Sequence, residues 1–431
     1  MNEILRTLLY EWKDKKLPKL IQRDIILEQK QTPYIHNATV ITGFRRVGKT
    51  YLMYDLIKRL LKTNSREDIV YINFEDERII NPSVTLLTDL IPEIQSLFGK
   101  KPKYLFLDEI QNVSNWSKWV RRILDNEDIQ IYISGSTSKM SSHEIPTELR
   151  GRFWEIKVKT LSFHEYLTFI REEIDFQKTP FSKEETAKFQ YLLDDYLKYG
   201  GLPDVVLLPV EKKLELLQSY FQTVVQRDMI EHFNIENHIA LRTMLKLLIN
   251  SPYFTISKLQ NIIKSMGIPV GKTTIDNYLS YARSSYFLQE LSIFTPVIAN
   301  QIQYPRKSFF VDTGFITALS TGFSKNSGRL FENVIYQKIS SENDIVYYYK
   351  DDNDYEVDFI TINGGSVTGL YQTSYDIESE ITKTREVRSL LFAGKKLQCK
   401  NLVLITAGLS QAFDIPKEIQ VIPFFDFWKK E

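Results

Sequence analysis

The chain has 431 residues, with 55 basic against 54 acidic for a net charge of +1, and 43% of its residues are apolar. That size and balance suit two to four domains and carry no global sign of a polyanion partner. A single cysteine, Cys399, and five scattered histidines leave no material for an internal disulfide, a thiolate metal cluster or a histidine-rich metal site, and no stretch reaches the roughly 18 apolar residues of a membrane span.

The first stretch, MNEILRTLLYEWKDKKLPKLIQRDIIL, mixes charges into every turn. It reads as a helical segment over residues 1–33 and not as a signal peptide. The expectation is a cytoplasmic protein without membrane contact.

Over residues 34–160 apolar runs alternate with helical patterns. ATVITG, DIVYINFE, KYLFLDEI and IQIYISGS are rich in Val, Ile and aromatics, as strands buried on both faces are. YLMYDLIKRLLK and NWSKWVRRILDN lie between them with helical spacing. In the second, Trp116, Val120, Ile123 and Leu124 form the apolar face, and Arg121 and Arg122 fall on the polar side. The alternation predicts an α/β domain with a doubly wound parallel sheet.

Three strand ends in this region carry chemistry. Gly43 to Thr50, GFRRVGKT, fits the phosphate-loop pattern G-x-x-x-x-G-K-[ST], with a strand before it and a helix after. The glycines let the backbone turn its N–H groups onto phosphates, Lys49 reaches the β and γ phosphates, and the Thr50 hydroxyl can bind Mg²⁺. The following helix adds its positive end. Gly43, Arg45, Arg46, Val47, Gly48, Lys49, Thr50 and Tyr51 are the expected contacts to ATP or ADP. YLFLDEIQ ends in Asp108 and Glu109 at the edge of the sheet where such folds place ligands. Asp108 is expected in the Mg²⁺ shell, and Glu109 is expected to orient and activate the attacking water. IYISGSTS offers Ser134 or Ser136 as a hydrogen-bonding partner for the water or the γ phosphate. Arg150 and Arg152 in ELRGRFWEIKV are candidates for sensing or neutralising transition-state charge, with surface ion pairs as the alternative.

From Ser162 to Ala299 the pattern is mostly helical. FHEYLTFIREEI and KKLELLQSYFQTVVQRDMIEHF fall in a helical lid or linker over 161–238. KLQNIIKSMGI and GKTTIDNYLSYARSSYFL, split by a turn at Gly267–Gly271 and followed by LQELSIF as a wing strand, predict a winged helix over 239–305. Ser257 is placed as the cap of its first helix. Ile275, Leu279 and Ala282 would face the core. Lys272, Thr273, Thr274, Asn277, Tyr281 and Arg283 are left for a groove or for phosphates, so residues 257–285 are the candidate DNA contact, with a packing module as the alternative.

Residues 306–431 return to strands with helices interleaved, a second α/β domain. RLFENVIYQKI, YEVDFI and LYQTSYDI follow the order of a metal-dependent nuclease core. Glu332 and Asp358 match its first two acids, and Glu356 shares a strand face with Asp358. Gln372 stands where the third acid belongs and Ser374 where a lysine belongs. The expectation is a degenerate site that binds without cutting, with Lys350 or Lys383 as candidates to migrate into it.

Together GFRRVGKT, YLFLDEIQNVSNWSKWVRRILD, ISGSTSKM, LRGRFWEIKVKTLSFHEYL, YGGLPDVV and VVQRDMI resemble the prokaryotic AAA-type ATPases that carry a C-terminal domain of unknown function, over essentially the whole chain. The resemblance implies an AAA+-like P-loop domain, a helical and winged-helix middle, and a C-terminal domain similar to restriction endonucleases. The expected function is hydrolysis of Mg·ATP coupled to DNA or protein binding by the C-terminal half, with oligomerisation open. A nucleotide-gated binding switch with little turnover and an ATP-licensed nuclease are the alternatives.

Overall fold

The computed structural model describes residues 3–27, 37–80, 82–136, 149, 151–179, 181–295, 297, 301, 303–320, 327–375, 380–408 and 415–428. The chain divides into two compact units, Met1–Lys159 with Ser284–Tyr286, and Thr160–Arg283 with Phe287–Glu431.

The first unit contains α1 (Glu3–Asp14), β1 (Ala38–Thr42), α2 (Lys49–Leu60), β2 (Ile69–Asn73), α3 (Val84–Phe98), β3 (Tyr104–Asp108), α4 (Trp116–Asn126), β4 (Gln130–Gly135) and β5 (Phe153–Lys157). The sheet order is β2-β3-β4-β1-β5 and every neighbouring pair is parallel. Strands β1 to β4 are the apolar runs expected to be covered on both faces, and they are buried along nearly their whole length. With β4 between β1 and β3, the C-terminal ends of these three strands stand side by side, which gathers three motifs separated in sequence. Trp116, Val120, Ile123 and Leu124 enter the core from α4, and Trp119 joins them.

Two elements here were not apparent in the pattern. The α3 run contains Pro92, which removes one helical hydrogen bond. The edge strand β5 is only half covered, so its apolar signal is weak. The N-terminal expectation is corrected: helix stops at Asp14, and residues 15–27 are not helical. Pro18 lacks the N–H a helix needs, and Lys13, Lys15, Lys16 and Lys19 crowd like charge into one turn and a half; residues 28–33 lie outside the described residues.

The second unit opens with α5 (Phe163–Ile170), α6 (Lys183–Tyr199), the short α7 (Pro203–Val206) and α8 (Val210–Thr223), which runs on into a wider π-helical segment, Val224–Glu231. Next come α9 (His238–Asn250), β6 (Tyr253–Phe254), α10 (Ile256–Ser265), α11 (Lys272–Ser284), β7 (Leu288–Leu291) and β8 (Arg306–Phe310). The three strands form an antiparallel sheet in the order β6-β8-β7. The cap of α10 is Thr255, not Ser257: the Thr255 hydroxyl accepts the Lys258 N–H at 3.1 Å. A cap residue must be extended while its successors are helical; Thr255, at φ −126° and ψ 152°, meets that condition, and Ser257 already lies inside the helix.

The chain then forms α12 (Thr313–Leu319), α13 (Ser327–Glu342), β9 (Ile345–Lys350), β10 (Glu356–Asn363), β11 (Ser366–Ser374), α14 (Glu380–Lys396), β12 (Leu402–Thr406), β13 (Ile419–Pro423) and α15 (Phe424–Phe427). Its sheet runs β13-β12-β11-β10-β9. The β9–β10–β11 part is antiparallel and the β11–β12–β13 part parallel. Phe163 of α5 packs edge-on against Phe424 of α15, with ring centroids 5.4 Å apart, so the helices and this sheet share aromatic packing. Among the described residues no helix is long and apolar enough to cross a membrane.

Candidate functional site

Gly43 follows β1 with φ +141°, and a Cβ there would stand 2.2 Å from the Val158 carbonyl oxygen. No side chain fits at that close approach. Gly48 adopts φ 97° and caps α2 without a side-chain hydrogen bond, so the first N–H groups of this twelve-residue helix are left for an anion. Arg46 also has positive φ, 69°, and the loop closes as a curled cradle.

Lys49, the first residue of α2, is 5% exposed. Its ammonium donates to the carbonyl oxygens of Gly43 at 3.0 Å and Phe44 at 3.1 Å and lies 3.8 Å from Glu109 Oε1. The Thr50 hydroxyl donates to Asp108 Oδ2 at 2.7 Å. The same oxygen accepts the Tyr71 hydroxyl at 2.7 Å, and Ser134 donates to Oδ1. Burial pushes the Asp108 carboxyl up, Glu109 adds to the rise, and the hydroxyl bonds oppose it without cancelling it.

Glu109 sits in the left-handed region at φ 54°, a conformation that costs energy for a residue with a Cβ and turns its side chain away from the strand direction. Its N–H is taken by Ser134 Oγ at 3.0 Å. Its Oε2 accepts from Ser136 at 3.1 Å and from the Gln111 amide at 2.5 Å. Burial alone would raise Glu109; Lys49, the Gln111 bond and Arg45 outweigh it and hold the group below the usual carboxylate range.

The remaining predicted residues divide. Val47 is buried, Arg46 is exposed, and Arg45 bridges to Glu75 at 3.1 Å. Tyr51 is 54% exposed. Arg152 forms an ion pair with Asp125 of α4, the surface pairing that was its alternative. Arg150 lies outside the described residues. Three residues at the site were assigned no role from the sequence. Gln111 ends the quoted stretch YLFLDEIQ and Tyr71 lies in the strand run DIVYINFE, and Arg23 comes from the non-helical arm, donating to the Val47 carbonyl at 2.8 Å and the Lys159 carbonyl at 3.0 Å.

A hydroxyl and a carboxylate, both hard oxygen donors, thus meet beside an uncapped helix start and a lysine. That donor set fits a phosphate chain with Mg²⁺.

In the second unit Glu332 of α13 and Glu356 and Asp358 of β10 meet at one point, and the group at that point is the Lys307 ammonium, at 2.8, 3.0 and 2.9 Å. The lysine among these acids therefore comes from β8, a strand the sequence reads as such without singling out Lys307. Of the two expected candidates, Lys350 pairs with Asp354 at 3.1 Å and reaches Glu356 only at 3.8 Å, and Lys383 lies in α14. The Gln372 oxygen accepts the Asp358 N–H at 3.1 Å, and its amide N–H donates to Glu386. Ser374 is buried at the end of β11.

On α11, Lys272, Thr273 and Asn277 are exposed and Thr274 is half-buried. Tyr281 stacks on Phe233 with centroids 4.0 Å apart, and Arg283 pairs with Glu290 at 2.9 Å. A cleft of about 540 Å³ between α11 and the 233–237 segment is lined by Phe233, Asn237, Asn277 and Tyr281.

Comparison with known proteins agrees with the first unit's geometry. Residues 36–167 match an AAA domain, and residues 190–327 and 327–427 match two domains of unknown function, DUF8612 and DUF4143. An uncharacterized protein of Methanocaldococcus jannaschii is 35% identical over 428 residues, 96% of this chain and 91% of that protein. An uncharacterized protein of Haemophilus influenzae is 26% identical over 378 residues, 85% of this chain and 89% of that one. A Walker-type ATPase of Pyrococcus abyssi superposes with a TM-score of 0.43 at 14% identity, over 65% of this chain and 90% of its own. A phosphate loop at the end of β1 and an acid pair at the end of β3 lie within the AAA-domain match, and a relative matched along nearly its full length leads to one conclusion: the chain belongs to the family of that M. jannaschii protein, and in this chain the AAA domain precedes DUF8612 and DUF4143.

Proposed function

We propose that the protein binds Mg·ATP at Gly43–Thr50, hydrolyses it, and couples the cycle to binding of DNA or a protein by its C-terminal half. The observation that carries this reading is the 2.7 Å contact of Thr50 with Asp108, one residue from a Glu109 whose carboxylate is oriented by Ser136 and Gln111. Bound Mg²⁺ supplies charge neutralisation for the phosphates. The chain's own groups bind and orient. The loop N–H groups and Lys49 take the phosphates, with Gly43, Arg45, Arg46, Val47, Gly48, Thr50 and Tyr51 forming the surrounding contacts. For this Lys49 exchanges two neutral carbonyl partners for charged ones, which strengthens each bond. Glu109 stays ionised at neutral pH and accepts the proton of the attacking water. Arg152 serves transition-state charge once Asp125 releases it, and Arg150 is the second candidate for that role.

For the C-terminal half, α9 to α11 with β6 and β7 support a winged helix over 239–305, and β8 (Arg306–Phe310) continues its sheet just past that limit. The succession α13, β9, β10, β11, α14, β12 supports a restriction-endonuclease-like domain over 306–431. The limits 34–160 for the ATPase domain and 161–238 for the helical lid complete the proposed division. Lys272, Thr273 and Asn277 are the α11 residues best placed to meet phosphates or a groove. The test is ATP turnover with and without duplex and single-stranded DNA, for the wild type, Lys49→Ala and Glu109→Gln. Turnover should be lost in Lys49→Ala and fall by roughly two to three orders of magnitude in Glu109→Gln, which still binds nucleotide. Undiminished hydrolysis by a clean Lys49→Ala preparation would refute the assignment.

A further inference from the structure

The carboxylate cluster of the second unit plays no part in the nucleotide chemistry. Convergence of Glu332, Glu356 and Asp358 is what a metal-dependent phosphodiesterase uses to seat a divalent cation. Here the position is taken. The Lys307 side chain is 4% exposed and its ammonium touches all three acids, at 2.8, 3.0 and 2.9 Å. The acids have further partners of their own. Asp358 Oδ2 accepts the Thr373 N–H at 3.0 Å and hydroxyl at 2.8 Å, and Glu356 Oε1 accepts the Tyr253 hydroxyl. Gln372 is neutral, and its oxygen already accepts the Asp358 N–H at 3.1 Å, so it adds no charge for a divalent cation and has one lone pair left. The rings of Tyr253 and Tyr348 flank the ammonium at 5.4 and 5.7 Å and add cation–π attraction.

We infer that Lys307 is the resident cation of the C-terminal domain, its ammonium filling the seat that a divalent metal takes in a nuclease, so that the domain takes up no divalent cation and cuts no phosphodiester. The seat is filled from β8, so the same ion pairs fasten the β6-β8-β7 sheet to α13 and β10. A lysine that migrated to serve catalysis is the competing assignment, but such a group must face the attacked phosphate or water, and this one faces three carboxylates in a buried position. Burial alone would lower the ammonium's pKa; Asp358 and Glu332 outweigh it and hold the group well above the ordinary lysine range. The inference does not depend on the ATPase reading, since the cluster lies wholly in the second unit.

The test uses the nucleotide-free full chain and Mn²⁺ alone, followed by electron paramagnetic resonance and by thermal unfolding. Wild type and Asp358→Asn should bind the same amount of Mn²⁺, because no site in the wild type depends on Asp358. Lys307→Met should gain one Mn²⁺ site, at least about tenfold tighter than anything lost or gained in the wild type, with a Mn²⁺-dependent rise in melting temperature that is absent from Lys307→Met with Asp358→Asn. Mn²⁺ bound by the wild type and lost in Asp358→Asn would overturn the inference, as would nicking of circular DNA that Asp358→Asn abolishes. A folded Lys307→Met protein that gains no Mn²⁺ site would also count against it. If Lys307→Met does not fold, the comparison of wild type with Asp358→Asn decides the question without it.

Discussion

Lys49 and Lys307 are both buried, at 5% and 3% exposure, and both lie near acids, but their partners differ. The Lys49 ammonium hydrogen-bonds two backbone carbonyls and stands 3.8 Å from Glu109. The Lys307 ammonium touches three carboxylates within 3.0 Å. Carbonyl dipoles yield to an incoming phosphate because a charged acceptor offers a stronger bond. Carboxylates in a low-dielectric site do not yield, because any anion would have to displace charge already in place. On the proposed reading, a buried lysine is therefore a ligand-binding group in one unit and stands in for a ligand in the other. The acid count near each ammonium separates the two cases.

The sharpest way to break this contrast is Lys307→Met, which removes the cation that three acids share. Unfolding in urea should show a loss of about 3–5 kcal/mol, the usual result of removing one member of a buried ion pair, with partial recovery when Asp358→Asn is added. Stability unchanged by Lys307→Met would mean the cluster is already solvated. At the other lysine's site, Glu109→Gln should lower ATP turnover by roughly two to three orders of magnitude with nucleotide affinity kept. If turnover persists, another base activates the water.

A further buried acid, Asp312, sharpens the comparison, because no lysine pairs with it among the described residues. Asp312 accepts N–H groups from Gly201 at 2.7 Å and Gly314 at 2.8 Å, and burial outweighs these bonds to push its carboxyl up from 3.8 to about 6. The folded state then holds a proton that the unfolded state has released between pH 4 and 6. This contribution to stability accordingly falls as pH rises through that window and stays lost above it, by on the order of 2–3 kcal/mol. Unfolding free energies of wild type and Asp312→Asn, compared at several pH values, should diverge across pH 4–6 and run parallel above it. Parallel curves throughout would show that the N–H bonds compensate the burial fully.

Smaller effects are expected where contacts are single or exposed. Arg23→Ala removes the side chain that holds the Val47 carbonyl at 2.8 Å. Nucleotide affinity, measured by calorimetry, should weaken about tenfold, the worth of one charge-assisted bond; no change would mean the loop is held by its glycines alone. On α11, Lys272→Ala should reduce the salt dependence of DNA binding by about one unit of slope. Arg283→Ala should reduce it less, since Glu290 already pairs with Arg283 at 2.9 Å. Equal effects from the two would show that DNA outcompetes Glu290.

Much of the nucleotide site could be read from residues in order. GFRRVGKT and LDEI are contiguous stretches of loop and strand end, and local backbone demands, glycine at φ +141° and φ +97° above all, leave a local signature. The alternation of buried strands with helices predicted the parallel sheet for the same reason, because periodicity is a property of neighbours in sequence. Ser134 and Ser136 were expected to meet the water or the γ phosphate, whereas their partners in the structure are Asp108 and Glu109.

What the chain order could not decide are the groups that arrive from elsewhere. Arg23 reaches Val47 from an arm with no helical or motif pattern, and Tyr71 reaches Asp108 from a neighbouring strand. In YGGLPD the first glycine is explained by Asp312, more than a hundred residues on, whose carboxylate leaves no room for a Cβ at Gly200, and the second by the Leu161 backbone, whose carbonyl oxygen lies 2.5 Å from where a Cβ of Gly201 would stand. Lys307 was visible only as a polar residue in an apolar strand, while Ser374 marked the place where a lysine was missing. The sequence by itself determined which acids share a face of β10 and what the phosphate loop is for, since both follow from backbone geometry over a few residues. Only the tertiary structure decided which cation those acids hold, because a buried charge takes its partner from whichever element packs against it, and the distance along the chain has no bearing on that choice.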